Sequence, residues 1–305
     1  MKLSLKQMRY AVAVARTGHF GRAAELCAVS QPALSQQILA LEAICGAALF
    51  DRLQRGVSLT PFGREFVDLA QRAIDSADAV EALASGQRGR PVRPLRFGLI
   101  PTVAPYLLPD IFPALRQAMP ELGYAVSERR TDALLEGLAE GSIDLALIAS
   151  SPPGGGPRLT LEPLFHDRFV LATSAGETSP DPVRLGDIDG GRMLLLDEGH
   201  CFRDQAIAAC GLDAAAGRTF AATSLSTIVE FVANGLGVTL LPEIALRKEA
   251  TGRIRVHQLA APGVGRDLKL CWREGSPYAP VFRAIAQTIR DLRPAVGPGA
   301  ASTPA

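Results

Sequence analysis

The chain has 305 residues, of which 48% are hydrophobic and 21% charged, and a formal net charge of +1 at pH 7. This balance is typical of a globular protein with two or three domains and excludes a disordered or fibrous chain. No run of about 18 apolar residues occurs, so neither a membrane-spanning helix nor a signal peptide is expected. The five cysteines form no CxxC pair, which argues against a secreted disulfide framework and a metal site. We therefore expect a cytoplasmic protein without metal or cofactor.

The first sixty residues predict three short helices followed by a tight hairpin. Apolar residues recur at helical spacing over 5–15, 20–27 and 34–41, and Ser30 can cap the third helix. The opposite face of that helix carries small and amide side chains of the kind that read base edges in a major groove. These side chains are Pro32, Ser35 and Gln36. Basic side chains outnumber acidic ones in this part, which permits contact with nucleic acid.

A hairpin is predicted between residues 49–52 and 56–59. Arg52 and Arg55 lie close to its turn, where they can neutralise phosphates or reach into a minor groove. The hairpin is typical of a wing beside a recognition helix.

A long amphipathic helix is predicted from Pro61 to about Ala84, with Thr60 as its cap. Its apolar stripe is too long for one small domain to cover, which favours a partner helix from a second subunit. A core helix within a single domain remains the alternative. The stripe consists of Phe62, Phe66, Leu69, Ala73, Ala77, Val80 and Leu83.

From Leu95 onward, strands and helices alternate, which predicts an α/β domain with a parallel-rich sheet. Strands are expected over 95–100, 124–127, 143–148, 161–165, 169–173, 193–196, 218–222 and 268–272, with another after Gly235. Helices are expected from Thr102, over 132–139, after Gly199, from Ser224 and over 281–292. The tail from Pro294 is rich in Pro, Gly and Ala and is predicted to be disordered.

Three motifs resemble the winged helix-turn-helix of LysR-type transcriptional regulators: FGRAAELCAVSQPALSQQI at 20–38, LFDR at 49–52 and LTPFG at 59–63. The resemblance implies that Gln31, Pro32, Ser35 and Gln36 lie against promoter DNA and that Arg52 and Arg55 serve the wing. It also implies a dimer, and from there a tetramer, with RNA polymerase as a further partner.

The same resemblance implies the division of the chain. It predicts a winged helix-turn-helix domain at 1–60, a linker or dimerisation helix with a hinge at 61–92, and a periplasmic-binding-protein-like effector domain at 93–293. That domain would have two subdomains, the first formed by 93–164 and 268–293 and the second by 165–267. Residues 294–305 would be the tail.

Two thiols stand nine residues apart in the stretch DEGHCFRDQAIAAC, residues 197–210. Cys201 is predicted to lie near a helix N-terminus beside His200 and Arg203, a setting that favours a thiolate. In one helix, Cys201 and Cys210 would be about 13 Å apart along the axis and on opposite sides. A disulfide tolerates Cα separations of only about 4.4–6.8 Å, so a bond between them requires the segment to refold. The alternative is that both are small buried hydrophobic residues without reactivity.

Four further segments resemble the hydrogen-peroxide-sensing subfamily of these regulators: 98–109, 199–206, 222–225 and 275–277. The resemblance implies that peroxide oxidises Cys201 to a sulfenic acid, that Cys210 resolves it to a disulfide, and that a thiol reductant resets the protein. It places five polar residues in the peroxide pocket: Thr102, Thr131, His200, Gln205 and Arg273. Thr131 could instead be an ordinary helix cap. Cys27, Cys45 and Cys271 are expected to pack in the interior.

The sequence thus predicts a DNA-binding regulator of antioxidant genes that senses hydrogen peroxide, rather than an enzyme. One rival is a LysR-type regulator that binds a small carboxylate between the subdomains, where helix N-termini from Thr102 and Ser224 favour anions. The other is a thiol peroxidase, which would have no use for residues 1–60. No GxSxG, HExxH or phosphate-binding glycine loop occurs.

Overall fold

The computed structural model describes residues 3–52, 56–84, 91, 93–152, 158–212, 221–261 and 263–292. The N-terminal part contains helices α1 (Leu5–Thr17), α2 (Phe20–Leu26) and α3 (Gln31–Cys45), strands β1 (Phe50–Arg52) and β2 (Val57–Leu59), and the long helix α4 (Pro61–Ala84). Within the described residues, no helix is both long and apolar enough to cross a membrane.

The N-terminal domain folds as predicted, with three helices and a two-stranded hairpin. The Ser30 hydroxyl accepts a hydrogen bond from the Ala33 amide and so caps α3. The buried stripe of α3, which consists of Leu34, Ile38 and Leu41, packs against α1 and α2. β1 and β2 pair antiparallel. The tip of the predicted wing, including Arg55, lies outside the described residues.

Helix α4 has two apolar faces, of which the sequence indicated one. Thr60 caps it as predicted, because its hydroxyl accepts a hydrogen bond from the Gly63 amide at 2.8 Å. One face packs against Val12 of α1 through Val67, Ala70 and Ile74. The predicted stripe remains largely uncovered within the chain, with exposed fractions of 39%, 52% and 64% for Phe62, Leu69 and Val80.

The C-terminal part alternates strands and helices. In chain order these are β3 (Leu95–Leu99), α5 (Ala104–Ala118), β4 (Tyr124–Glu128), α6 (Thr131–Ala139), β5 (Leu145–Ile148), β6 (Leu159–Ser174), β7 (Leu195–Leu196), α7 (Cys201–Cys210), β8 (Ala221–Ala222), α8 (Leu225–Ala233), β9 (Thr239–Pro242), α9 (Leu246–Glu249), β10 (Ile254–His257), β11 (Gly265–Arg273) and α10 (Ala279–Asp291). The apolar faces of these elements form one continuous core.

The main sheet is mixed, not parallel-rich as predicted. Its strand order is β10-β6-β11-β5-β3-β4, and β9 also pairs with β6. β3 is parallel to β4 and β5, whereas β6 and β11 pair antiparallel along their length. Within β6, residues 159–168 pair with β11, which also pairs with β5, and residues 169–174 pair with β9 and β10. These two long strands therefore join the two halves of the domain; the bounds of the subdomains stay predictions.

The strand predictions differ from the structure in two places. The sequence predicted separate strands over 161–165 and 169–173, but the chain stays extended through the polar residues between them because these pair with 265–267 of β11. β10 was not predicted at all.

Helix α4 contacts the C-terminal part of the chain through a buried ion pair. The carboxylate of Asp75 accepts a hydrogen bond from Arg273 at the end of β11, and the amide of Gln71 donates to Asp75 at 2.9 Å. Gln71 also lies against Gly141, where a β-carbon would stand 2.3 Å from the Gln71 side chain. Asp75 and Arg273 are 5% and 7% exposed. Helix α4 is therefore joined to the C-terminal part through side chains that are almost fully buried.

We expect Asp75→Asn to lower the free energy of unfolding by about 3 kcal/mol, because the buried guanidinium of Arg273 would lose its counter-charge. Denaturant titration followed by the fluorescence of Trp272, the single tryptophan of the chain, measures this change. Asp68→Asn is the matched control: Asp68 pairs with Arg72 on the exposed face of the same helix, where such a pair contributes about 0–1 kcal/mol. Equal losses in the two variants would contradict the structural importance of the buried pair.

Candidate functional site

Helix α7 carries the two thiols at its ends. Cys201 is its first residue and Cys210 its last, and both are free. Nine residues of α-helix separate them by about 13 Å along the axis. The predicted helix is confirmed, and in a helix of this length the two sulfurs cannot form a bond.

A small pocket lies at the N-terminal end of α7. Three segments enclose it: the turn after β3, the start of α6, and the loop leading into α7. The lining residues are Ile100, Pro101, Thr102, Arg130, Thr131, Gly199, His200 and Cys201. Its volume is about 10 Å³, which is close to the space that one water-sized molecule needs. Helix N-termini carry partial positive charge, so the convergence of α6 and α7 favours negative charge here.

Arg266 holds one wall of this pocket, and sequence reasoning missed it. Its guanidinium donates to the hydroxyl of Thr102 at 2.7 Å and to the carbonyl oxygen of Thr102 at 2.9 Å. Its Nε atom donates to Asp167 at 2.9 Å, and neither side chain of this ion pair has any exposed area. Asp167 in turn accepts the backbone amide of Ile244, and the guanidinium stacks on the ring of Phe202 at 5.2 Å. The orientation of the Thr102 hydroxyl is therefore fixed by a buried network.

The placement of Arg273 in the peroxide pocket was wrong. Arg273 stands seven residues from Arg266 in β11, which puts their backbones roughly 20 Å apart. At that end of the strand its guanidinium contacts Asp75, and it lines a separate cavity of about 540 Å³ with Asp68, Arg72, Arg158, Glu274 and Gly275. Arg266, not Arg273, reaches the wall of the Cys201 pocket.

Thr131 is not a helix cap, contrary to the alternative that the sequence left open. Arg130 occupies the N-cap position of α6, and Thr131 is the first residue of the helix. The hydroxyl oxygen of Thr131 is buried and has no hydrogen-bond partner among the described residues, although Thr131 lines the pocket. A polar molecule in the pocket could supply that partner.

Gln205 lies one helical turn after Cys201 and is not among the residues that line the pocket. Its amide nitrogen donates to the carbonyl oxygen of Ala149, after β5, at 2.7 Å. The other amide atom, Oε1, is buried and finds no partner in the part of the chain that the structure describes. Gln205 therefore ties α7 to the first half of the domain, and its role in the peroxide pocket stays a prediction.

His200 is the N-cap residue of α7 and is 8% exposed. Burial, followed by the nearby guanidinium of Arg130, lowers the pKa of His200. The imidazole is accordingly neutral at pH 7, and a neutral ring has one donor and one acceptor nitrogen. It can exchange a hydrogen bond with a molecule beside Cys201.

The remaining thiols are held in the protonated form. Burial raises the pKa of Cys210 to about 11 and that of Cys271 to about 12. Cys271 is fully buried in the core, as expected, and does not reach the pocket. Cys27 and Cys45 pack against the core of the N-terminal domain, and burial also raises the pKa of each.

The predicted DNA-contacting side chains gather at the start of α3. Gln31, Pro32 and Gln36 are exposed, and Ser35 is half-buried. The start of the helix is held in place by the Ser30 cap, so these side chains are presented by rigid backbone. Arg52 ends β1 of the hairpin, but its side chain is outside the described residues.

Two family models match the chain. "Bacterial regulatory helix-turn-helix protein, lysR family" covers residues 5–64, and "LysR substrate binding domain" covers residues 88–293. The chain belongs to the LysR family of regulators.

Relatives and solved structures narrow the resemblance within the LysR family. A "probable hydrogen peroxide-inducible genes activator" of Mycobacterium avium is 41% identical over 294 residues, which is 93% of each chain. A full-length OxyR variant from Pseudomonas aeruginosa superposes with a TM-score of 0.81 at 33% identity, covering 95% of this chain and 98% of that one. A mutant OxyR of Corynebacterium glutamicum, bound to hydrogen peroxide, gives a TM-score of 0.62 at 32% identity, covering 96% and 94%.

In this LysR-family protein we expect Cys210 to react slowly with alkylating agents in the reduced state. The reactive form is the thiolate, and a pKa of about 11 instead of 9.0 lowers its fraction at pH 8 about 100-fold. The test uses Cys201→Ser, iodoacetamide at pH 8 and peptide mass mapping of Cys210 in native and denatured protein. Equal native and denatured rates would contradict the burial of this thiol.

Proposed function

We propose that the chain is a transcription regulator that senses hydrogen peroxide through a reversible disulfide between Cys201 and Cys210. The observation that carries this proposal is the pocket: it brings a thiol, two hydroxyls and a neutral imidazole to a space that admits about one water-sized molecule. The names of the relatives support the same function. The protein would act in the cytoplasm, where promoter DNA is accessible to it.

The chemistry proceeds in two balanced steps. The thiolate of Cys201 attacks one oxygen of peroxide, so that an S–O bond forms, the O–O bond breaks and hydroxide leaves with the bonding electrons and is protonated to water. The sulfur is oxidised to a sulfenic acid, and the peroxide is reduced. Thr102, Thr131 and His200 orient the peroxide and stabilise the leaving oxygen. The Cys210 thiol then attacks the sulfenic sulfur, an S–S bond forms, and water leaves.

Disulfide formation must unwind α7, because the helix holds the sulfurs apart. Moving a two-state equilibrium from 1:99 to 99:1 requires about 5.5 kcal/mol. A bond that fits only the unwound form can supply this free energy by excluding the helical form. A thiol reductant restores the helix by returning both sulfurs to thiols.

The size of the pocket argues against the carboxylate-binding rival at this position. A carboxylate with its carbon substituent has at least four heavy atoms and hydrogen peroxide has two, so the small space beside Cys201 favours the smaller molecule. A carboxylate sensor would also keep its response in Cys201→Ser, whereas a peroxide sensor would lose it.

A thiol peroxidase, the second rival, would differ from a regulator in its catalytic turnover of peroxide. A peroxidase would consume peroxide continuously when supplied with a reductant, whereas a regulator reacts once per reset. The helix-turn-helix at 5–64 supports the regulator.

The other partners follow from the surfaces of the chain. The exposed stripe of α4 would pair with α4 of a second copy, and dimers would assemble into a tetramer. A dimer presents two copies of α3 to half-sites about one turn of DNA apart. Refolding of α7 would then change the spacing of the recognition helices and so the contact with RNA polymerase.

We expect peroxide to convert the purified protein to a form in which peptide mass mapping finds Cys201 bonded to Cys210. Cys201→Ser should lose both the disulfide and the peroxide-dependent change in promoter footprint. Cys210→Ser should stop at the sulfenic acid, which a 1,3-dicarbonyl reagent traps. A different disulfide pairing, or a footprint that ignores peroxide, would contradict the proposed switch.

We expect Gln36→Ala to weaken promoter binding about tenfold, because an amide that bonds a base edge contributes about 1–3 kcal/mol. Fluorescence anisotropy with labelled promoter DNA at fixed salt measures the change. Gln287→Ala is the control, since that exposed amide bonds only its own helix neighbours. Equal affinities of the two variants would argue against the α3 face as the DNA-contacting surface.

A further inference from the structure

Arg130 belongs to the Cys201 pocket, although neither the motif resemblance nor the spacing of residues pointed to it. It occupies the N-cap of α6 without making a side-chain cap bond. Its side chain extends instead to the loop before α7, where Nη1 donates to the carbonyl oxygen of Glu198 at 3.0 Å. Through this contact, a cation from one half of the effector domain is placed beside the thiol of the other half.

Gly199 makes room for this guanidinium. A β-carbon at Gly199 would stand 2.3 Å from Nη1 of Arg130, and the backbone there has a φ of +89°. Both facts favour glycine, since other residues rarely adopt that φ and a side chain would displace the arginine. The loop before α7 is therefore shaped around Arg130.

The charge of Arg130 is only weakly compensated. Of the carboxylates in the described residues, the one that pairs with it is that of Asp132 at 4.0 Å, and both side chains are about half exposed or more. A pair with this geometry is largely screened by solvent. Arg130 and Cys201 line the same small pocket, and the charge of Arg130 lowers the pKa of His200, which lines it too. The field of Arg130 therefore acts on any negative charge that forms there.

We propose that Arg130 is a further catalytic residue of peroxide sensing, whose cation stabilises the negative charge shared by the Cys201 sulfur and the peroxide oxygens in the transition state. This inference rests on the proposed function. In this step the S–O bond forms, the O–O bond breaks, and hydroxide departs. Relative to a neutral thiol, the transition state carries one full negative charge, so a nearby cation lowers its free energy. Solvent screening of a half-exposed side chain limits the gain to about fivefold in rate.

The test measures sulfenic acid formation in the Cys210→Ser background, so that only the first step is observed. A 1,3-dicarbonyl reagent and intact mass report the rate constant with hydrogen peroxide. Arg130→Gln should react about fivefold more slowly, and Arg130→Lys should recover most of the loss. Arg129→Gln is the matched control, because that neighbouring arginine is exposed and does not line the pocket; its rate should equal that of the parent.

Salt separates an electrostatic role from a packing role. Between about 20 mM and about 1 M salt, the ratio of the parent rate to the Arg130→Gln rate should fall toward one, because the Debye length shortens from about 20 Å to about 3 Å. A ratio that does not change with salt, or an Arg130→Lys rate no higher than that of Arg130→Gln, would overturn the proposal.

A second variant tests the arrangement without removing the cation. Gly199→Ala should slow the reaction in the parent, because the new β-carbon clashes with Nη1 of Arg130 and the backbone is strained. When Arg130→Gln is already present, the clash is gone and only the backbone strain remains, so Gly199→Ala should slow the reaction less. Equal effects in the two backgrounds would contradict the close approach of Gly199 and the Arg130 guanidinium. If the parent itself forms no sulfenic acid at Cys201, the proposed function fails, which differs from every outcome that bears on Arg130 alone.

Discussion

The helical geometry of α7 is the constraint on which the redox site depends, because it keeps two thiols of one short segment about 13 Å apart. An isolated helix of ten residues is marginal in water, so packing must hold it. The packing is uneven: Phe202, Arg203 and Ala206 are buried, whereas the last four residues are half-buried or exposed. Phe202 contacts Phe169 edge-to-face at 5.1 Å. Unwinding from the C-terminal end would therefore cost least, and it would leave the buried Phe202 beside Cys201 in place.

Strand β11 links the two regions that a redox switch must connect. Near its first residue, Arg266 pairs with Asp167 and bonds Thr102 in the pocket wall. At its last residue, Arg273 pairs with Asp75 of the linker helix. Both ion pairs are buried, so neither strand end can shift without leaving a charge unpaired in the interior, which is costly. The pocket and helix α4 are thus attached to the same strand.

The helices and caps of this site were predicted from the sequence better than the contacts between side chains that lie far apart in the chain. Local features were sufficient for α7 and for the caps at Ser30 and Thr60, because they depend on residues a few positions away. The choice between Arg266 and Arg273 depended on strand register, since Arg266 is identified by a partner 99 residues away, and no local pattern contains that information. Thr131 was ambiguous for a smaller reason: a shift of one residue in the start of α6 decides whether it caps the helix or faces the pocket.

The small volume and the polar lining of the Cys201 pocket bear on both the selectivity and the rate of the proposed sensor. A space of about 10 Å³ would disfavour bulky organic peroxides, because admitting them would require separating the start of α6 from the loop before α7. The buried polar groups of the lining, Thr102 and His200, would interact more strongly with a charge on the sulfur than groups in bulk water do. The neutral His200 adds polarity without a second full charge. Enlarging the pocket would therefore admit more oxidants and also weaken the field on the sulfur, so a small pocket serves both properties.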